Sequence, residues 1–310
     1  MLFRSLIGLV ALFACATVAS AETRVFTLSS FAGQERKAVI HIPESVRDGS
    51  GPAPVVFVLH GQNSAAGEIE NITRFHEAAG DRGYITVYPN GHSRPGQDHN
   101  FWNVAPFKTA ADTMSLASDR AFITMILRNL KAKSLADPRR VFATGFSMGG
   151  MMTYRLACED SKTFAGIAVV AGAMTTPDCD PDHPVSVLHL HSLADTTIPY
   201  RGGPTRETDA TWPAVRDTMQ SWQERLSCET PTVERLNDNA VCFPASCPGG
   251  HKTRLCQSFQ GGHEWMGGTT ASYPRRAQDD TATSAAQLDA NTEILDFFSG
   301  IPARGPALAP

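Results

Sequence analysis

The hexapeptide Gly145-Phe146-Ser147-Met148-Gly149-Gly150 follows an apolar run, Val141-Phe142-Ala143-Thr144, and leads into a stretch of helical character that begins at Met148. A serine in a sharp strand-to-helix turn needs small residues two before and two after it, because a side chain there would collide with neighbouring backbone. Gly145 and Gly149 meet that need. The turn would lift the Ser147 hydroxyl out of a sheet and present it to a carbonyl carbon. Serine is a poor nucleophile at neutral pH, so the chemistry also demands a neutral imidazole to take its proton and a carboxylate to orient the imidazole.

On sheets of this kind the chain order is serine, acid, histidine. Asp195 lies just past the run Leu188-His189-Leu190-His191, and His263 lies in Gly261-Gly262-His263-Glu264-Trp265, just past the next strand. Ten histidines compete for the base role. His251 falls in a cysteine-rich loop and His183 in a Pro/Asp turn, whereas the two glycines before His263 let its loop approach the serine. Glu264 is adjacent to His263 and badly placed to orient it. Asp180 and Asp182 precede their strand and belong at the wrong edge of the sheet. An oxyanion needs two backbone donors. The expected pair is the amide of Met148, next after the nucleophile, and the amide of Gln62, after His60-Gly61, where Gly61 permits close approach. His60 itself reads as structural. His189 and His191 share a strand face and with Asp195 resemble a metal set, but supporting core histidines are the simpler reading. The expectation is no metal and no cofactor.

Positioning these groups requires parallel strands with their carboxyl ends together. Residues 24–29 and 37–42 alternate around Gly33 as an antiparallel edge hairpin. Val55-Val56-Phe57-Val58-Leu59 is a continuous apolar run that suits a strand buried on both faces. A helix through Ile69, Ile72, Phe75 and Ala78 precedes a strand over 84–88, and Phe122, Met125, Ile126 and Leu130 recur at helical spacing. Strands over 165–170, 186–191 and 253–259 and a helix over 288–298 follow. Alternation of strands and helices predicts the α/β class: a mostly parallel sheet with helices on both faces and sites at the strand carboxyl ends.

The chain has 310 residues, 42% hydrophobic and 19% charged, with a formal net charge of -4. That suits one large domain, expected over residues 22–301, and offers no basic footprint for nucleic acid. Residues 1–21 read as a signal peptide: Arg4, an apolar run from Leu6 to Val18, then Ala19-Ser20-Ala21. The run falls short of the roughly 20 residues that span a bilayer, so no membrane association is expected after cleavage and the protein is expected to be secreted or periplasmic. Six cysteines follow the cleavage site: Cys158, Cys179, Cys228, Cys242, Cys247 and Cys256. An even number in an exported chain favours disulfides. Proximity along the elements suggests Cys158 with Cys179, Cys228 with Cys256, and Cys242 with Cys247. Residues 200–252, rich in Pro, Gly and Cys, read as a disulfide-held insertion, and 302–310 as a flexible tail.

With His60-Gly61, Asp137-Pro138-Arg139-Arg140-Val141, the serine hexapeptide, Asp195-Thr196-Thr197-Ile198-Pro199-Tyr200 and Gly261-Gly262-His263-Glu264-Trp265 in order, the chain resembles the secreted polyhydroxybutyrate depolymerases and feruloyl esterases, α/β hydrolases related to acetylxylan esterases. The resemblance implies Ser147 as nucleophile, Asp195 as acid and His263 as base. It implies esters of hydroxybutyrate, ferulate or acetate as substrates, small, oligomeric or carried on polyester or plant polysaccharide. Tyr88-Pro89-Asn90-Gly91 and Phe101-Trp102-Asn103 resemble family segments near the site mouth. Two positions depart from the family pattern: Ser192 where glycine is usual, and Met266 where proline is usual. Trp102 and Trp265 are candidates to stack on an aromatic acyl group or to line its pocket. An exported peptidase of the same fold and a non-catalytic binding protein on this scaffold are the alternative readings. Comparing an ester with the matching amide would separate the esterase from the peptidase, the presence of serine, acid and histidine together counts against the silent reading, and activity is expected to rise as a histidine base loses its proton.

Overall fold

The computed structural model describes residues 22–31, 34–49, 51–93, 99–104, 118–176, 179–204, 211–269 and 288–305; the expected signal segment and residues 306–310 lie outside them. In chain order the elements are β1 (Glu22–Phe31), β2 (Gln34–Ile42), α1 (Glu44–Arg47), β3 (Ala53–Leu59), α2 (Ala66–Thr73), α3 (Phe75–Asp81), β4 (Ile85–Pro89), β5 (His92–Ser93), β6 (Asn100–Phe101), α4 (Ser118–Ala132) and β7 (Ala136–Phe146). They continue with α5 (Met148–Glu159), β8 (Gly166–Val170), β9 (Ser186–Ser192), β10 (Gly203–Pro204), β11 (Thr211–Trp212), α6 (Val215–Arg225), β12 (Glu234–Asn237), β13 (Ala240–Ser246), β14 (Lys252–Ser258) and α7 (Ala290–Ser299).

Ten strands form one sheet in the order β1-β2-β4-β3-β7-β8-β9-β14-β13-β12. The six central strands, β4 to β14, run parallel, and antiparallel pairs flank them at both edges. Alternation along the parallel strands divides the core in two. Val55, Phe57 and Leu59 of β3 face Phe122 and Ile126 of α4, Met151 of α5 and Trp222 of α6, whereas Val56 and Val58 join Ile69 of α2, Phe75 of α3 and Phe298 of α7. Burial on both faces explains why β3 reads as an unbroken apolar run. The α/β-hydrolase architecture, with its antiparallel edge hairpin β1–β2, is the one the sequence predicts.

The single helix expected over Ile69–Ala78 is two helices, broken where Arg74 adopts a left-handed φ of 45°. No glycine or proline marks that break. Residues 200–252, read as an insertion, hold α6 and the strands β12 and β13, and β13 pairs with β14 to extend the main sheet.

Cys158 bonds to Cys179, as the sequence suggests, but the other four cysteines exchange partners: Cys228 bonds to Cys247 and Cys242 to Cys256. The reason is register. Cys242 and Cys256 are directly opposed on β13 and β14, with Cα atoms 4.0 Å apart. A Cys242–Cys247 bridge would instead have to span the length of β13, which runs extended from Ala240 to Ser246.

Candidate active site

Ser147 sits between the last residue of β7 and the first of α5 with φ 56° and ψ -119°, a region that L-residues avoid. The surrounding backbone leaves no alternative to the flanking glycines. A Cβ on Gly145 would stand 2.5 Å from the Gly149 carbonyl, and one on Gly149 would stand 2.2 Å from the Leu59 carbonyl oxygen. The turn is pinned by Ser147 N–H donating to Val170 O at 2.9 Å and by Met151 N–H donating to Ser147 O at 3.1 Å.

The three residues chosen from chain order meet in space. His263 Nε2 lies 2.8 Å from Ser147 Oγ, and His263 Nδ1 lies 2.8 Å from Asp195 Oδ2. With Nδ1–H donating to the carboxylate, the Nε2 lone pair faces the serine hydroxyl, which is the tautomer a base requires. Asp195 follows β9 and is buried. Its Oδ1 accepts from the amides of Thr197 and Ile198, both at 2.9 Å. Burial alone would raise the Asp195 pKa, but hydrogen bonds from His191 and His263 outweigh it and hold the carboxyl far below the usual range. Phe146 packs on the His263 ring with centroids 4.9 Å apart.

The loop after β3 approaches the serine closely: a Cβ on Gly61 would lie 3.7 Å from Ser147 Cβ and 3.3 Å from the Phe146 ring. Gln62 follows in an exposed turn. Met148 opens α5, where the first amides of a helix have no intrahelical acceptor. His60 is wholly buried, with Nδ1 bonded to Gly61 O at 2.7 Å and Nε2 accepting from Gly91 N–H at 2.9 Å. Desolvation lowers its pKa to about 4, so it is neutral near pH 7 and braces the loop.

Trp102 and Trp265 do not offer a stacking face, contrary to the sequence expectation. Each is 2% exposed. Trp102 donates Nε1–H to His60 O at 2.8 Å and packs against the His60 ring, while Trp265 donates to Asn291 Oδ1 at 3.0 Å within the core beside α7. Trp102 thus props the peptide just ahead of Gly61 and Gln62. A buried pair beneath this region, Arg36 with Asp119 at 2.8 Å, also fastens Asn90 O and the Asn103 amide.

The sequence reading assigned no supporting role to Ser192, whereas it read His189 and His191 as supporting core residues. Ser192, a departure from the family pattern, donates Oγ–H toward the carbonyls of Gln260 and Gly261, both at 3.1 Å, and accepts from Ala194 N–H. It ties the turn carrying Asp195 to the loop carrying His263. The signals in the sequence were its place at the end of β9, just ahead of Asp195, and its departure from the usual glycine. His189 and His191 spend their ring nitrogens on hydrogen bonds to Tyr154, to each other and to Ile198 O.

Among the described residues two side-chain clusters carry three donor atoms within reach of one ion. In one, Cys242 and Cys256 are already joined to each other. In the other, His41 and Glu70 hydrogen bond directly at 2.7 Å and the rings of His41 and His76 stack 4.0 Å apart at 16°, so their in-plane lone pairs do not converge.

The profile of the Esterase family, described as "Putative esterase", matches residues 29–241. "Putative esterase NocK" of Nocardia uniformis subsp. tsuyamanensis is 31% identical over 270 residues, 80% of this chain and 74% of its own length. "Feruloyl esterase B" of Piromyces equi is 27% identical over 74% of this chain, which spans only 42% of that protein. An acetyl xylan esterase from Aspergillus awamori superposes over 89% of the chain and 99% of its own with a TM-score of 0.58 and 14% identity, a likeness of fold.

Proposed function

Because the chain belongs to the Esterase family and is a carboxylic ester hydrolase, we propose that Ser147, His263 and Asp195 carry the reaction through an acyl-enzyme. The observation that supports this reading is the unbroken hydrogen-bonded series from Ser147 Oγ through His263 to Asp195. Ser147 Oγ attacks the ester carbonyl carbon while His263 Nε2 takes its proton. The tetrahedral oxyanion is received by the amides of Met148 and Gln62. Collapse breaks the bond to the alcohol oxygen, which leaves with the proton from His263. Water then attacks the acyl-serine, giving its proton to the same nitrogen; collapse breaks the bond to Ser147 Oγ, His263 Nε2 returns the proton to that oxygen, and the carboxylic acid departs. Asp195 stays ionised throughout and stabilises the imidazolium.

The natural substrates on this reading are feruloyl, acetyl or hydroxybutyryl esters, carried by oligomers or by a plant polysaccharide. Names of relatives support the first two. Residues 1–21 act as an export signal, and the three disulfides suit an oxidising compartment outside the cytosol. No helix among the described residues is long and apolar enough to cross a membrane.

The test is initial rates of the mature protein, beside Ser147→Ala, on methyl ferulate, acetylated xylan, hydroxybutyrate oligomers and an amide matched to the best ester. Serine-dependent turnover of one ester class, with the amide untouched, is the expected result. Equal cleavage of ester and amide would favour a peptidase, and turnover that persists in Ser147→Ala would remove the serine from the mechanism.

A further inference from the structure

Behind Asp195 runs a buried polar chain that the three reacting residues do not use. Tyr154 on α5 and His189 and His191 on β9 are each wholly buried. Tyr154 OH lies 2.7 Å from His189 Nδ1, His189 Nε2 lies 3.0 Å from His191 Nδ1, and His191 Nε2 lies 2.8 Å from Ile198 O and 3.4 Å from Asp195 Oδ2.

The direction of every hydrogen in this chain is fixed from one end. A carbonyl oxygen only accepts, so His191 Nε2 must carry a hydrogen toward Ile198 O. A His191 ring that carries this one hydrogen has a bare Nδ1, which can only accept, so His189 donates to it from Nε2. That leaves His189 Nδ1 bare, and the Tyr154 hydroxyl donates into it. Burial and the neighbouring His191 push the His189 pKa well below its ordinary value, which suits a neutral ring with one hydrogen. The same His191 N–H leans toward Asp195 Oδ2, the oxygen that His263 contacts.

We propose that His191 is a positioning residue for the acid, and that Tyr154 and His189 lock it in the tautomer whose N–H clamps the 195–198 turn. The clamp closes a ring: Asp195 Oδ1 accepts from Ile198 N–H while Ile198 O accepts from His191. Because Tyr154 belongs to the helix that begins directly after Ser147, the chain also links the serine's helix to the acid's turn across the sheet. It offers two fixed points for the spacing between serine and acid. The proposal rests on the reading of Ser147, His263 and Asp195 given above.

The test compares His191→Phe, His191→Gln and Tyr154→Phe with the wild type in steady-state kinetics on the preferred ester, each paired with a thermal melt. Phenylalanine keeps the ring but donates nothing. Glutamine keeps a donor for Ile198 O and an acceptor for His189. His191→Phe should lower kcat about ten- to hundredfold with KM changed less than about twofold, since misplacing a reacting group by about 1 Å costs rate more than binding. His191→Gln should recover most of that loss. Tyr154→Phe, which frees His189 to switch tautomer at the far end of the chain, should lower kcat in the same sense and by less. It keeps the proposal testable should His191→Phe fail to fold.

A readout independent of turnover is the tautomer itself. Long-range proton–nitrogen spectra of histidine-labelled protein should show His189 and His191 as neutral Nε2–H rings at neutral pH. Wild-type kcat in a folded His191→Phe, equal losses in His191→Phe and His191→Gln, or either ring in the Nδ1–H form would overturn the proposal. Turnover without dependence on Ser147 would instead overturn the reading beneath it, and the tautomer spectra would still decide the clamp.

Discussion

Ser147 is held in a conformation that its own Cβ resists, and that cost can be measured. Its φ of 56° and ψ of -119° belong to a region in which glycine is at ease and an L-residue is strained by roughly 1–3 kcal/mol. Ser147→Ala keeps the strain and loses the hydroxyl. Ser147→Gly loses the hydroxyl and the strain together, but gains unfolded-chain entropy that lowers stability by about 0.4–1 kcal/mol. The lost hydrogen bond to His263 is common to both variants and cancels in their difference. Ser147→Gly should therefore be more stable than Ser147→Ala by about 1.3 kcal/mol at the middle of those ranges. At roughly 2–4 °C per kcal/mol for large domains, the gap in Tm should be a few degrees. Thermal unfolding followed by circular dichroism measures it, with neither variant turning over ester. An alanine variant that melts at or above the glycine variant would refute the idea that the elbow stores strain.

Gly149→Ala should be worse than either, because its Cβ would stand 2.2 Å from Leu59 O and 2.5 Å from His60 O, both backbone. Forcing β3 and α5 apart should cost about 1–3 kcal/mol and most of the activity, and an unchanged Tm would contradict the packing argument. Trp265→Phe should lower Tm through loss of the Asn291 hydrogen bond while leaving KM nearly unchanged; a raised KM at constant Tm would restore the tryptophan to substrate binding. Stability should fall on acidification through His60. Its folded pKa of about 4 lies below the ordinary histidine value of 6.5, so the unfolded chain binds more protons between those two values. The stability is whole above pH 6.5 and is lost progressively toward pH 4, by about 3 kcal/mol from this residue, with His189 acting in the same sense. Melting across that range should show the loss, and His60→Gln should flatten it; a parallel slope in the variant would exonerate His60.

What the sequence disclosed and what it hid follow from how local each constraint is. The elbow was legible because two backbone clashes dictate Gly145 and Gly149 within five residues of chain. Asp195 and His263 were legible because the fold orders strand ends, and each follows a strand of the parallel core. The disulfide partners were not, since opposition across β13 and β14 is a matter of register and not of distance along the chain. Composition hid β12 and β13 as well: Pro244 and Cys242 masked a strand whose Ala240, Cys242 and Ala245 are buried. Burial of Trp102 and Trp265 depends on partners far away in sequence, His60 for the first and Asn291 for the second, and no local pattern carries it. The roles of His191 and Ser192 were hidden for the same reason. Their partners, Ile198 with Asp195 in one case and Gln260 with Gly261 in the other, become neighbours only when the turn after β9 meets its surroundings.

If Ser147 is the nucleophile, it becomes acylated during ester hydrolysis. The most direct measurement is rapid acid quench of the enzyme during turnover of an activated acyl ester, followed by peptide mass spectrometry. A mass gain of one acyl group is expected on the peptide containing Ser147, formed at a rate no slower than turnover and absent from Ser147→Ala. Full turnover with no acyl group on Ser147, or an acyl group on another residue that persists in Ser147→Ala, would contradict it.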